Sequence, residues 1–186
     1  NRMRTAIVQE SPTYLAQRND AILALDYDTG LRNEELVELD VDMSHLEDGY
    51  IGLPAEVQKD YPTDNSPTYT EIELSSDTVR TLQNYINTRW KDTTAVFPSR
   101  QSDRITTDAV RKSVVRKAAR KAGVKPMSTG RGRGDPDNVT PHALRHSVAY
   151  RMLAVEDGNE LYDVTRRLRH ATVQTTERIY AHFDRV

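Results

Sequence analysis

AILALDYDTGLRNEELVELDVDMSHLEDGYIGLP, residues 21–54, changes its hydrophobic period part-way along. Before Gly30 the apolar residues Ile22, Leu23, Leu25 and Tyr27 recur among polar ones, as on a helix that begins near Ala16 and ends at about Asp28. Gly30 is a natural helix stop. Residues 33–40, NEELVELD, read as a short second helix with Leu36, Val37 and Leu39 turned to a core. Beyond Met43 the period shortens to two extended runs around Glu47-Asp48-Gly49, a hairpin signal. TYTEIELS (68–75) alternates Tyr69, Glu71 and Glu73 with Thr70, Ile72 and Leu74, which makes it a third strand with one inward face. The expected fold class is therefore α+β: mainly α with a small three-stranded antiparallel β-sheet.

Outward from this stretch the chain is helical. The polar, proline-punctuated AEVQKDYPTDNSPT (55–68) is a long loop between strands two and three. A helix over 78–90, capped by Ser76 or Asp77, carries Val79, Leu82, Ile86 and Trp90 on one stripe. ITTDAVRKSVVRKAARKAG (105–123) is a helix capped by Thr107 or Asp108 and ended by Gly123. Val110, Val114, Ala118 and Ala122 form its buried stripe, and Arg111, Lys112, Arg116, Lys117, Arg120 and Lys121 its exposed face. MSTGRGRGDPDNV (127–139) is a loop, and its glycines make no phosphate cradle, because no strand precedes them and no Lys-Ser/Thr follows. Thr140 then caps a helix with Pro141 at its first position, running to about Val155. Two further helices follow, in NELYDVTRRLRH and TVQTTERIYAHF.

A length of 186 residues suits one domain, 1–186, with a continuous core. The first residue, Asn1, suggests a piece of a longer chain. No apolar run approaches the roughly 18 residues of a membrane span and no signal-peptide pattern is present, so a cytoplasmic, nucleoid-associated protein is expected. With no cysteine, disulfides, thiolate catalysis and cysteine-ligated zinc are excluded. The net charge of −2 conceals a division: 8 Lys/Arg against 18 Asp/Glu over 1–99, but 18 against 10 over 100–186. Within 100–134 the balance is 11 against 2, a local patch able to attract a polyanion.

Arg32 falls in the turn between two helices, near a helix N-terminus. His142 and Arg145, three apart at a helix start, share a face at the end that favours anions. Lys59 lies in the loop beyond the hairpin. Two arginines converging on one phosphate, with histidines and a tyrosine nearby, equip a site for phosphoryl transfer. Guanidinium forks hold the charge that grows on the non-bridging oxygens. A phenol, with a free pKa of about 10, loses its proton during attack with help from a histidine, and a lysine can protonate the departing sugar oxygen. No step demands a divalent ion, and no carboxylate cluster suited to one is evident.

TGLRNEEL (29–36), HALRHS (142–147) and RHATVQTTERIY (169–180) resemble, in order and spacing, the three signature boxes of the tyrosine recombinases, the family of phage integrases and Xer-type recombinases. The resemblance implies a site-specific DNA recombinase catalytic domain that needs neither metal nor nucleotide cofactor. It makes Arg32 and Arg145 the phosphate clamp, Lys59 the general acid, His142 the proton shuttle, His170 the histidine-or-tryptophan position, Tyr180 the nucleophile and Glu35 a supporting acid. Double-stranded DNA is the implied partner, with Arg111, Lys112, Arg116, Lys117, Arg131 and Arg133 as contacts. A tetramer on DNA, a monomer off it, and an N-terminal DNA-gripping domain outside this stretch also follow. The step from His170 to Tyr180 is ten residues where nine is commoner, an extra residue in a turn. His146 and His182 are read as packing or hydrogen-bonding near the site, His45 as a surface or hairpin residue, Thr175 and Thr176 as caps of the last helix, and Arg178 as facing DNA or solvent. Two other functions fit the same fold: a catalytically idle DNA-binding module, and a type IB topoisomerase-like nicking enzyme.

Overall fold

The computed structural model describes residues 2–58, 69–128, 132–170 and 172–180. At its centre is α2 (Thr13–Thr29), buried on nearly every side: Ala21, Ile22, Leu23, Ala24 and Leu25 are consecutive and all inside. A helix apolar all round must be enclosed by others, and α2 packs against α1 (Arg2–Glu10), α4 (Ser76–Thr88) and α7 (Pro141–Ala154). The first of these escapes sequence reading, because its apolar stripe is thin: only Met3 and Ile7 are buried.

Gly30 ends α2 in the left-handed conformation (φ 62°), and its amide returns to the Asp26 carbonyl. A Cβ there would stand 2.6 Å from Leu168 Cδ2, so both backbone angle and space call for glycine. The chain re-enters a helix at once in α3 (Asn33–Glu38), then forms the antiparallel sheet β1 (Ser44–His45), β2 (Tyr50–Pro54) and β3 (Tyr69–Glu73), in that spatial order. Ile51 pairs with Ile72, putting both on the core face, while Glu71 and Glu73 point outward as the period-two pattern predicts.

Ser75, rather than Ser76 or Asp77, caps α4; its own amide is held by Asp28 Oδ2 at 2.8 Å, which fixes where the helix starts. Thr106 likewise replaces Thr107 as the next cap. The helix that follows is not uniform: α5 (Thr107–Ala109) passes into a π-helical segment, Val110–Arg116, and then into α6 (Lys117–Ala122). The widened turn lets both Val114 and Val115 face inward along with Val110, more apolar surface than a regular α stripe would turn inward. Where a plain loop was expected, β4 (Met127–Ser128) and β5 (Gly132–Arg133) form a two-residue ladder with Gly132 at positive φ.

The last three helices are α7, α8 (Leu161–Leu168) and α9 (Val173–Tyr180). Among the described residues they enclose a second, smaller core of Val148, Ala149, Val164, Leu168 and Tyr180. The expected class, mainly helical with a three-stranded antiparallel sheet, is the observed one.

Candidate active site

Arg32 is the residue just before α3, and Glu35 reaches back to it twice. Glu35 Oε2 accepts from the Arg32 amide at 2.8 Å, and Oε1 from Arg32 Nη1 at 2.9 Å. A third donor arrives from 134 residues away: Arg169 Nη2 at 2.5 Å. Burial alone would raise the fully enclosed Glu35 carboxyl, but Arg169 and Arg32 hold it below the usual carboxylate range. Arg169 also presents its main-chain carbonyl to Arg32 Nη2 at 3.1 Å, so one residue braces Arg32 from two directions. It does so as the C-cap of α8 in a left-handed conformation (φ 52°) that non-glycine residues adopt at a cost.

Arg145 lies on the first turns of α7, where Thr140 caps the helix and Pro141 begins it. Its two terminal nitrogens donate to the Gly30 and Leu168 carbonyls, tying the end of α2 to the end of α8. Burial, then Arg169 and Arg32, lower this guanidinium to about 9, so it stays charged at neutral pH. Arg32, His142, Arg145 and His170 line one cleft of about 520 Å³ with Asn33, Arg111 and Thr140. Inside it, Asp26 is 1% exposed, and neither carboxylate oxygen has a hydrogen-bond partner among the described residues. Burial raises it to about 8, opposed by Arg145. The folded protein thus holds a proton that the unfolded chain releases near pH 4, and stability falls as pH rises through the window between about 4 and 8. Asp26→Asn is expected to raise the melting temperature by at least about 3 °C at pH 8 and by less at pH 5. Equal shifts at both pH values, or a loss at pH 8, would show that Asp26 is ionised in the folded state.

His170 follows the α8 cap, and its Nδ1 is 2.8 Å from Thr176 Oγ1, which receives a hydrogen bond from Thr165 Oγ1 at 2.7 Å. Thr176 therefore does not cap α9. The helix already begins at Val173, and Thr176 is buried on its second turn, fixing the imidazole. Burial first, then Arg145 and Arg32, push His170 down to about 4; the same causes lower His142, so the site's arginines keep both rings neutral at physiological pH. The Tyr180 ring lies nearly parallel to His170, 8° apart with centroids at 6.2 Å. Its hydroxyl meets His146 Nδ1 at 2.8 Å, and the residue is 1% exposed. Burial raises the phenol to about 12, with Arg145 pulling the other way. The extra residue between His170 and Tyr180 thus coexists with a tyrosine packed inward.

A model of the phage integrase family matches residues 4–185. The chain belongs to that family. Among curated relatives, it is 30% identical over 174 residues to "Tyrosine recombinase XerC" of Pseudomonas aeruginosa strain PAO1, covering 92% of this chain and 49% of that protein. It is 34% identical over 171 residues to the XerC of Pseudomonas putida strain F1, covering 92% and 50%. The chain spans about half the length of the curated relatives it matches. In fold it is similar to XerH site-specific recombinase bound to a palindromic difH substrate (TM-score 0.72, 21% identity, 99% of this chain and 48% of that one). It is similar also to XerA recombinase (TM-score 0.69, 21% identity, 99% and 62%).

In this integrase-family chain the structure draws together Arg32, Glu35, His142, Arg145, His170 and Tyr180, six of the residues singled out by sequence. Lys59 and Arg131 lie outside the described residues, as do the Arg133 side chain and His182. The basic face divides. Arg111 reaches the cleft, whereas Lys117 Nζ donates to the Glu10 carbonyl at 2.6 Å and Lys121 pairs with Glu10 at 3.0 Å, so that edge of the helix is turned to α1. Arg111 and Lys112 share Asp108, and Arg120 pairs with Asp137. Sequence reading passed over Arg169. The available signal was a helix, RRLRH, that stops without a glycine: some other residue had to take the left-handed cap, and an arginine doing so brings a long side chain back onto its own helix end.

Proposed function

We propose that this chain is the catalytic domain of a site-specific DNA recombinase, an enzyme that cleaves and rejoins DNA through a 3′-phosphotyrosyl intermediate. One observation carries the reading: Arg32, His142, Arg145 and His170 line a single cleft, and Tyr180 stacks on His170 at its inner side. A phosphodiester in that cleft would meet two guanidinium groups whose geometry is fixed by Glu35, Gly30, Leu168 and Arg169. Fixed donors of this kind stabilise the charge of the pentacovalent transition state without reorganising. Tyr180 attacks phosphorus, the 5′ oxygen leaves with a proton from Lys59, and a 5′ hydroxyl from the partner strand later reverses the step. The phosphotyrosyl bond conserves the energy of the broken phosphodiester, so neither metal nor nucleotide is required. Arg111 and the neighbouring basic residues Lys112 and Arg116 contact the DNA backbone, which positions the duplex without reading its sequence.

The relatives' names, tyrosine recombinase among them, and the DNA complexes among the similar structures support this reading. We further propose that the full-length protein adds an N-terminal DNA-gripping domain, assembles as a tetramer on double-stranded DNA in the cytoplasm, and is monomeric away from it. The test uses a pool of nicked suicide duplexes randomised in sequence. Incubation should yield SDS-resistant protein–DNA adducts linked at a 3′ phosphate, with a yield unchanged by EDTA. Binding without any adduct would point instead to an idle DNA-binding module. Relaxation of a plasmid without strand exchange would point to a topoisomerase-like enzyme.

A further inference from the structure

Two histidines of the site are accounted for by their place in the cleft, but the one that touches the nucleophile is neither of them. We infer that His146 is a catalytic residue, the group that receives the phenolic proton of Tyr180. The inference rests on the recombinase reading above and goes beyond it, since that reading leaves the nucleophile's proton unassigned. Three features support it. His146 Nδ1 lies 2.8 Å from the Tyr180 hydroxyl, a distance at which a neutral imidazole with its hydrogen on Nε2 accepts from the phenol. His146 is one residue past Arg145 on α7, so the helix that sets the clamp also sets this nitrogen. Its ring meets the His142 ring edge-on, centroids 4.3 Å apart and planes at 84°, and His142 lines the cleft, which places the acceptor one ring behind the phosphate site.

His142 and His170 are worse placed for this task. His170 turns its Nδ1 to Thr176, and its ring stacks on the tyrosine ring rather than addressing the hydroxyl. The charged and titratable groups around the pair are Arg145 and His142 on α7, His170 at the α8–α9 turn, and Arg32 before α3. The arginines favour the phenolate, but burial opposes it, so spontaneous ionisation is rare at neutral pH and a base at the hydroxyl matters. In the step itself the O–H bond of Tyr180 breaks and its proton passes to Nδ1. The oxygen's electron pair forms the bond to phosphorus. The bond from phosphorus to the 5′ oxygen breaks, and that oxygen keeps the pair and takes a proton from the acid on the leaving-group side.

His146→Asn keeps an acceptor at the position of Nδ1 and removes its basicity, and it tests the assignment in single-turnover adduct formation from pH 6 to 10. The variant is expected to be slower than wild type by about 100-fold at pH 7. Its rate should climb about tenfold per pH unit as the phenol ionises unaided, while the wild-type rate climbs less, so that the gap closes toward pH 10. The deficit should persist on a substrate with a bridging 5′ sulfur, whose thiolate leaves without needing a proton. His146→Ala with added imidazole is expected to recover part of the lost rate. A deficit under threefold at pH 7, a deficit equal at every pH, or one abolished by the sulfur substrate overturns the assignment. If wild type itself forms no adduct in this assay, the recombinase reading fails, and the two failures are thereby told apart.

Discussion

Tyr180→Phe removes all covalent capture of DNA and leaves the fold in place. The expectation follows from where the ring and the hydroxyl sit. The ring belongs to the small core of Val148, Ala149, Val164 and Leu168, and phenylalanine fills the same space. The hydroxyl makes its hydrogen bond to His146, a contact worth about 1 kcal/mol or less once the exchange with water is counted. Thermal stability should therefore shift by no more than about 4 °C. Activity should disappear, because an oxygen nucleophile has been deleted and the neighbouring histidines and arginines cannot replace it with a stable phosphodiester. Adducts on the suicide duplexes would be scored by gel after SDS and heat, with DNA affinity measured in parallel. Adduct persisting at more than about a thousandth of the wild-type rate would assign the nucleophile elsewhere.

The second large effect is Arg145→Lys, expected to slow cleavage by about a thousandfold although the charge is kept. The planar fork of Arg145 spans two carbonyls, Gly30 and Leu168, while the same group faces the cleft. An ammonium can satisfy one of them at a time, leaving the other buried and unpaired, so a stability loss of about 1–3 kcal/mol accompanies the kinetic one. The loss should fall on the chemical step, with DNA affinity reduced by under tenfold, because the exposed basic residues carry most of the phosphate attraction. A lysine variant that cleaves within tenfold of wild type would show that bidentate geometry is dispensable and that only the charge at this position matters. Arg145→Ala separates the two effects further, since it removes both.

Much of this was legible in the residues. The switch from period 3.6 to period 2 across Gly30 and Gly49 located α2, α3 and the sheet, since both periods follow directly from which side chains must be buried. Arg32, His142, Arg145, His170 and Tyr180 were visible because each lies in a short box with its own spacing. What stayed hidden depends on contacts between distant segments. Arg169 matters through Glu35, 134 residues away, and no local pattern encodes that pair. His146 matters through Tyr180, 34 residues away; sequence reading had it packing near the site but could not say against what. Thr176 looked like a cap because Ser and Thr usually are, yet the helix began three residues earlier and its hydroxyl was left to the imidazole. The π-helical turn at Val110–Arg116 was invisible for a different reason: its residues satisfy an ordinary α pattern, and only packing decides the extra residue.

The acceptors that hold the two clamp arginines are mostly main-chain carbonyls, those of Gly30, Leu168 and Arg169. A carbonyl is supplied by every amino acid, so as an anchor it is indifferent to point substitution of the residue that bears it. What it cannot tolerate is a change in the length or direction of the chain. Descendants of this sequence can therefore exchange Leu168 for another apolar residue at modest cost, whereas the gain or loss of a single residue between Leu168 and His170 would misdirect both arginines together and detune the site in one event.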